Sequence, residues 1–239
     1  MGKFKFNAVD KNLFCVYNKN AGGIMMVKIS PSVLTADFLN LDNDIKQLEN
    51  AKVDMLHLDV MDGIFVPNIS FGVPIIKSIR KHTSLPLDVH LMIDRPHRYI
   101  EQFAEVSDIL GFHFEAGSDN EATLKKIRDL GCKSCITIKP CTKAQDIFNL
   151  LDYCDMVLVM SVEPGFGGQK FMPMALEKLT ALKNECERRN LKIDLEVDGG
   201  INAQTAPLAV NSGANVLVAG NYIFSADDMA QRVREIKSF

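Results

Sequence analysis

Residues 54–68 read DMLHLDVMDGIFVPN, and they place ionisable side chains on a strand that otherwise looks buried. Successive side chains of a strand point to opposite faces, so His57, Asp59 and Met61 share one face. A buried strand usually keeps such positions apolar. The position of this strand in the whole fold must therefore explain why two polar groups point the same way.

Short apolar runs of this kind alternate with amphipathic stretches along residues 27–239. The predicted strands are VKISPS (27–32), DMLHLDV (54–60), PLDVHLM (86–92), DILGFHF (108–114), CKSCITI (132–138), DMVLVMS (155–161), KIDLEV (192–197) and NVLVAG (215–220). Helix-like segments with apolar residues at helical spacing lie between them, for example at 37–51, 118–131 and 174–190. The chain is thus predicted to be an α/β protein with eight βα units.

Eight units of roughly 27 residues predict a single-domain (β/α)₈ TIM barrel over residues 27–239. A doubly wound open sheet shares the βα alternation, but its GxGxxG signature does not follow the first strand. Residues 1–26 contain four lysines and one aspartate and differ from the rest of the chain. We expect them to form a poorly ordered N-terminal extension before the catalytic domain.

The composition excludes several classes of function. A net charge of −3 gives no indication of a nucleic-acid surface, and no apolar run approaches the roughly 18 residues of a membrane helix. The six cysteines are scattered, which indicates free thiols in a reducing cytoplasm. Cys132 and Cys135 form a CxxC, but the odd spacing on a strand sends them to opposite faces and predicts buried thiols.

Polar residues recur where several strands of the predicted barrel end, which is where barrel enzymes carry their active sites. His57 and Asp59 end the second strand, His90 ends the third and Asp198 ends the seventh. One histidine on a strand is usually a core residue, but this set predicts a divalent metal site. Imidazole and carboxylate ligands suit Zn²⁺ or Fe²⁺, and also accept Mn²⁺ or Co²⁺. His113 and Glu115 share a face and could join the cluster, whereas His82 and His97 are predicted at the surface.

Three glycine-rich turns predict a phosphate-binding site at the same end of the barrel. The loop VEPGFGGQKF (162–171) follows the sixth strand, and DGG and AGN follow the last two strands. Glycines allow backbone N–H groups to approach an anion, and phosphate sites are common after the final strands of this fold. The predicted cradle comprises Gly165, Gly167, Gly168, Gly199, Gly200, Gly220 and Asn221.

A metal site beside a phosphate site suggests chemistry on a sugar phosphate. Asp59 and Asp198 come from distant strands, so they could face opposite sides of a planar intermediate. One would remove a proton and the other would return one, which inverts a stereocentre. Met61, Met92 and Met160 would line the mouth and exclude water without acting as acids.

In its motifs the chain resembles the ribulose-phosphate 3-epimerase family. The resemblance runs from about Val27 to the C-terminus through ISPSVL, HLDVMDGIFVPNISFG, DVHLM, VLVMSVEPGFGGQKF, EVDGGIN and VAGNYIF. It implies interconversion of D-ribulose 5-phosphate and D-xylulose 5-phosphate in the pentose phosphate pathway, through a metal-stabilised 2,3-enediolate. It also implies a cytoplasmic homo-oligomer, either a dimer or a hexamer, with one divalent metal ion per subunit.

The resemblance assigns roles to individual residues. It implies His57, Asp59, His90 and Asp198 as metal ligands, with Asp59 and Asp198 as the acid–base pair. A substrate contact is implied at Ser30, and phosphate contacts at the glycine-rich positions, including Phe166. We also expect substrate contacts at His90, Met61, Met92 and Met160. Two positions depart from the family pattern, since Asn221 replaces a usual Ser and Lys139 a usual Asn.

Three alternatives stay open at this point. A D-allulose-6-phosphate 3-epimerase would share the fold, the metal and both aspartates. A lyase such as an orotidine-phosphate decarboxylase would need a D-x-K-x-x-D arrangement, but Val60 and Met61 follow Asp59 here. A non-catalytic sugar-phosphate binding protein would give no reason for paired aspartates beside a metal.

Overall fold

The computed structural model describes residues 27–239, and the prediction for residues 1–26 lies outside this range. It contains eight strands, each near a segment predicted from the sequence. They are β1 (Lys28–Ser30), β2 (Leu56–Met61), β3 (Leu87–Met92), β4 (Ile109–His113), β5 (Lys133–Ile138), β6 (Met156–Met160), β7 (Asp194–Asp198) and β8 (Val216–Val218).

All strand pairs are parallel, in the order β1-β8-β7-β6-β5-β4-β3-β2. The first and last strands of this order approach each other beyond the end of β1. There Ser32 forms a parallel bridge with His57, whose N–H donates to the carbonyl of Pro31 at 3.0 Å. The sheet therefore closes into a nearly complete barrel, which confirms the predicted (β/α)₈ fold.

Helices connect the strands on the outside of the barrel. They are α1 (Leu41–Asn50), α2 (Val73–His82), α3 (Ile100–Ala104), α4 (Asn120–Asp129), α5 (Met174–Arg189), α6 (Ala206–Asn211), α7 (Asn221–Phe224) and α8 (Met229–Lys237). A 3₁₀ helix, Ala144–Tyr153, joins β5 to β6, and two shorter ones are Val33–Thr35 and Pro96–Arg98. None of the helices within residues 27–239 is long and apolar enough to cross a membrane.

Strand alternation divides the core into two layers. Leu56, Leu58 and Val60 of β2 point outward into the large core between barrel and helices. The residues between them point into the barrel, because the side-chain period of a strand is two. The two cysteines of the CxxC follow the same rule, as Cys132 packs in the outer core and Cys135 in an interior cluster.

The barrel interior is not uniformly polar. Around β4 to β6 it holds a mainly apolar cluster formed by Met55, Ile109, Cys135, Met156, Leu158, Met160, Val162 and Val216. The ionisable side chains concentrate on β2, β3 and β7, where they are buried or nearly so, and buried His113 adds one at the end of β4. Burying ionisable groups is unfavourable unless they are paired, so this side of the barrel requires a chemical explanation.

Candidate active site

A cavity of about 500 Å³ opens at the carboxyl ends of the strands. Of the residues predicted from the sequence, it is lined by Asp59, Met61, Met92, Met160, Asp198, Gly165, Phe166, Gly167, Gly168, Gly199, Gly200, Gly220 and Asn221. The glycine-rich loops form one wall and the strand-end polar residues form the floor. The tertiary structure thus brings the two predicted sites into one cavity.

Four of the predicted residues meet at the floor, where Asp59 and Asp198 line the cavity and His57 and His90 are buried behind them without lining it. His57, Asp59, His90 and Asp198 can each offer one ligand atom, and all four atoms lie within 4.8 Å of one another. Oδ1 of Asp59 lies 3.1 Å from Nδ1 of His90 and 3.4 Å from Nε2 of His57. These two ring nitrogens are 3.3 Å apart. Three potential electron-pair donors therefore converge on one point.

This cluster fits a divalent cation in donor type, spacing and charge. Two ligands bound at roughly 2.1 Å to one ion lie about 3.0–3.4 Å apart, which matches the three separations at the floor. Two imidazoles and two carboxylates also supply the two negative charges that balance a divalent ion. The residues present can therefore hold the metal implied by the resemblance.

The pKa values of the two aspartates of the cluster are shifted in opposite directions. Burial opposes the ionisation of Asp59, but the adjacent His57 and His90 rings overcome it and hold its pKa well below the usual range. Burial and the negative charge of Asp59 raise the pKa of Asp198 to about 7. One carboxylate is thus held ionised while the other can carry a proton near neutral pH, as an acid–base pair requires.

Beneath the floor lies a further buried group. Nδ1 of His57 is 2.6 Å from Oδ2 of Asp88 and 3.7 Å from Oε1 of Glu196. Burial lowers the pKa of His57, but Asp88 and Asp59 outweigh it, so this pKa lies well above its ordinary value. Burial and Asp88 raise the pKa of Glu196 well above its ordinary value.

The His113–Glu115 pair also reaches the cluster, although neither residue lines the cavity. Nε2 of His113 lies 2.9 Å from Nε2 of His90, and its Nδ1 lies 3.4 Å from Oε2 of Glu115. Burial lowers the pKa of His113 to about 4, so this ring is neutral. His82 and His97 are exposed, as predicted.

The phosphate cradle depends on close backbone packing between loops. Gly200 has φ +63°, and a Cβ at this position would lie 2.9 Å from the Cα of Phe171. The turn after β7 thus rests directly on the loop after β6. A Cβ at Gly220 would lie 2.8 Å from Oγ1 of Thr35, so the loop after β1 closes the cradle from the third side.

The structure does not bring Ser30 into the cavity. Ser30 is fully buried at the end of β1, and its hydroxyl has no hydrogen-bond partner within residues 27–239. Ser32, two residues nearer the mouth, lines the cavity and donates to Oδ2 of Asp59 at 2.6 Å. Both serines belong to ISPSVL, but only Ser32 lies beyond the strand end and within hydrogen-bond distance of Asp59.

A profile of the Ribulose-phosphate 3 epimerase family matches residues 28–224, which include the whole cluster and the whole cradle. The chain belongs to the ribulose-phosphate 3-epimerase family. Membership makes it an enzyme, an isomerase that acts on carbohydrates. Residues 225–239, which include α8, lie outside the matched range.

Relatives from this family match nearly the whole of the described chain. The ribulose-phosphate 3-epimerase of Bacillus subtilis is 45% identical over 214 residues, which cover 89% of this chain and 99% of the relative. That of Methanocaldococcus jannaschii is 43% identical, with coverages of 89% and 90%. The cytoplasmic isoform of Oryza sativa is 40% identical, with coverages of 88% and 92%.

Solved structures of more distant proteins share the fold alone. A 3-hexulose-6-phosphate synthase has a TM-score of 0.65 at 16% identity, covering 88% of this chain and 98% of that one. A mutant tryptophan synthase α-subunit from Pyrococcus furiosus has a TM-score of 0.64 at 14% identity, with coverages of 90% and 98%. The family of the chain therefore rests on its sequence relatives, and the barrel on both.

Several residues around the site are missing from the set predicted from the sequence. Asp88 and Glu196 stand two residues before His90 and Asp198, so the same alternation that predicts the ligands also aims these carboxyls inward. Lys170 follows GFGGQ and is the one Lys or Arg that lines the cavity within residues 27–239. Thr35 gives no signal, because only the fold brings the β1 loop against the glycines.

Proposed function

We propose that the chain interconverts D-ribulose 5-phosphate and D-xylulose 5-phosphate, with Asp59 and Asp198 as the acid–base pair. The proposal rests on one observation: two aspartates whose pKa values are shifted in opposite directions lie in one buried cluster, beside a glycine cradle for phosphate. The activity for which the relatives are named agrees with this chemistry. Both substrates place a C3–H bond next to a carbonyl, which makes its proton removable.

Each aspartate has a defined task in this reaction. One carboxylate removes the C3 proton, and the other delivers a proton to the opposite face of the resulting 2,3-enediolate. Ser32 holds one oxygen of Asp59, so its other oxygen keeps a constant direction toward the cluster. A bound divalent ion, which we propose to be Zn²⁺ or Fe²⁺, would supply positive charge that stabilises the enediolate oxygens.

The remaining cavity residues bind and shield the substrate. The backbone N–H groups at Gly165–Gly168, Gly199, Gly200, Gly220 and Asn221 are proposed to bind the phosphate. Met61, Met92 and Met160 are at most 4% exposed and form an apolar rim above the floor. Excluding water from this rim strengthens the electrostatic interactions below it.

Solvent exchange tests the reaction directly. Incubated with D-ribulose 5-phosphate in D₂O, the protein should yield D-xylulose 5-phosphate that carries deuterium at C3, as measured by NMR. A protein that uses D-allulose 6-phosphate with a higher kcat/KM would instead be a hexose-phosphate epimerase. Product without deuterium at C3 would contradict proton transfer by the two aspartates.

Replacing Gly200 by Ala should raise the KM for the sugar phosphate about 10–100-fold, since a hydrogen bond to a charged group contributes about 1.5–3 kcal/mol. The new Cβ would displace the turn from the backbone of Phe171 and move its N–H groups. Gly131→Ala is the matched control, because Gly131 also has a positive φ but nothing lies within 4 Å of its Cβ position. A KM equal to that of the wild type would contradict a role for Gly200 in the phosphate cradle.

The setting of the enzyme is also proposed. We infer a cytoplasmic enzyme of the pentose phosphate pathway, consistent with the cytoplasmic isoform among the relatives and with the buried free thiols. We further infer a homo-oligomer, either a dimer or a hexamer. Leu39, Ile64 and Ile69 are 75–94% exposed on loops at the mouth of the barrel and offer an apolar contact surface. Light scattering on the purified protein measures the subunit number.

A further inference from the structure

Each histidine of the cluster turns its second ring nitrogen to another buried side chain. Nδ1 of His57 faces Oδ2 of Asp88 at 2.6 Å, and Nε2 of His90 faces Nε2 of His113 at 2.9 Å. These four residues are at most 2% exposed. Neither Asp88 nor His113 lines the cavity, so neither is placed to touch the substrate.

The contact with Asp88 decides which nitrogen of His57 carries the proton. A carboxylate oxygen accepts hydrogen bonds, so when Nε2 of His57 offers its lone pair to a cation, the remaining proton stands on Nδ1 and is donated to Oδ2 of Asp88. Nε2 then keeps its lone pair. Nε2 faces the other two donor atoms of the cluster, at 3.4 Å from Oδ1 of Asp59 and 3.3 Å from Nδ1 of His90.

A longer series of side-chain contacts, through His113 to Glu115, fixes the proton position of His90 in the same way. When Nδ1 of His90 offers its lone pair to a cation, the proton stands on Nε2 and is donated to Nε2 of His113. The proton of His113 then stands on Nδ1, which is 3.4 Å from Oε2 of Glu115. Both atoms are buried without a hydrogen bond within residues 27–239, so each is the polar group available to the other.

Glu115 is itself fixed in place at the end of this series. Its Oε1 accepts from the backbone N–H of Lys139 at 2.9 Å and from the hydroxyl of Thr142. Both paths from the cluster therefore end on an immobilised carboxylate, one directly and one through a neutral imidazole. The first path closes with the hydrogen bond to Asp88, and the second ends where Nδ1 of His113 faces Oε2 of Glu115.

We propose that Asp88 and the His113–Glu115 pair are positioning residues that fix the nitrogen each ligand histidine presents to the metal ion. This inference rests on the proposed function, because it concerns the metal of the same site. Outer hydrogen bonds of this kind orient the ring and raise its basicity, and their loss costs about 10–100-fold in metal affinity. It also gives the His113-x-Glu115 motif a role outside the ligand set.

Metal affinity of the metal-free protein tests the proposal. The dissociation constant for Zn²⁺ is measured by competition with a chromophoric chelator. Asp88→Asn and His113→Phe should each raise it about 10–100-fold. The amide of Asn can turn its NH₂ group to Nδ1 of His57, which favours the wrong tautomer, and Phe removes the acceptor for His90. His113→Gln should lose less, because its carbonyl oxygen can still accept from Nε2 of His90.

Two further measurements separate positioning from a general loss of structure. His82→Gln is the matched control, since His82 is exposed and remote, and it should leave the dissociation constant unchanged. The visible spectrum of the Co²⁺-loaded protein should shift in Asp88→Asn, because the ligand field changes with ring orientation. The melting temperature of the metal-free His113→Gln protein should equal that of the wild type.

The outcomes distinguish this inference from the proposed function. A wild-type protein that binds Zn²⁺ while Asp88→Asn, His113→Phe and His113→Gln bind it equally well would overturn the positioning roles alone. A wild-type protein that binds no divalent ion would overturn the metal site and the inference together. Weaker binding in the first two variants, partial recovery in His113→Gln and a shifted Co²⁺ spectrum would support the proposal.

Discussion

Replacing Asp198 by Asn should lower kcat for epimerisation about 10²–10⁴-fold, the range typical of losing a general acid–base group. The amide has nearly the same shape as the carboxyl but can neither take up nor deliver the C3 proton. It also removes one of the two negative charges of the cluster. Stopped assays that separate the two pentulose phosphates would measure the loss.

Solvent exchange in this variant gives a sharper test of the two-base arrangement. Asp59 stays in place, so the epimer whose C3–H bond faces Asp59 should exchange its proton with D₂O without inverting. The other epimer should not exchange. Exchange into both epimers at equal rates would contradict the assignment of one carboxylate to each face.

The exposed aspartate at the end of α4 offers a matched control for this variant. Asp129→Asn makes the same chemical change in a helix far from the cavity, so it should leave kcat unchanged. The Asp198→Asn protein should also keep the circular dichroism spectrum of the wild type. If its kcat stayed near the wild-type value, Asp198 would not be an acid–base residue.

Removal of bound metal should lower turnover about 10²-fold or more, because a divalent ion stabilises developing negative charge by several kcal/mol. Without the ion, its positive charge no longer balances the negative charge that develops on the enediolate oxygens. Chelation followed by metal analysis and steady-state assay would measure the effect. Adding back Zn²⁺ or Fe²⁺ should restore the activity, and the metal that restores most identifies the better cofactor.

Metal removal has an independent readout in stability. A ligand that binds only the folded state stabilises it, so the metal-loaded protein should melt at a higher temperature than the metal-free one. His57→Gln should abolish this difference because it removes a ligand, whereas His82→Gln should preserve it. Full turnover by protein shown to be free of divalent ions would contradict the metal's role in the reaction.

Strand alternation accounts for most of what can be predicted from the sequence. The period of two aims His57, Asp59, His90 and Asp198 inward, and the order of the βα units places their strand ends together. The same period aims Asp88 and Glu196 inward, but these two lie deeper in the barrel than the strand ends. Candidate ligands are predicted from their position at a strand end, and the two deeper carboxyls do not meet this criterion.

Residues brought together by loops cannot be predicted in this way. Ser30 and Ser32 are two residues apart, so strand alternation points both to the same side. Only the length of β1 decides that Ser32 reaches Asp59 while Ser30 stays buried. Thr35 approaches Gly220 because β1 pairs with β8, which brings the loops after the two strands together. A loop's path depends on packing against distant segments, so its own sequence carries little information about it.

By itself the sequence determined the repeat of strands and helices, the inward face of each strand and the glycines that a tight phosphate cradle requires. These follow from local rules, since side-chain alternation and backbone freedom depend on a few neighbouring residues. Only the tertiary structure decided how the inward groups pair: which oxygen of Asp59 Ser32 holds, and which nitrogen of His57 faces Asp88. Hydrogen-bond partners and acidities depend on burial and on charges from other strands, and barrel closure sets both.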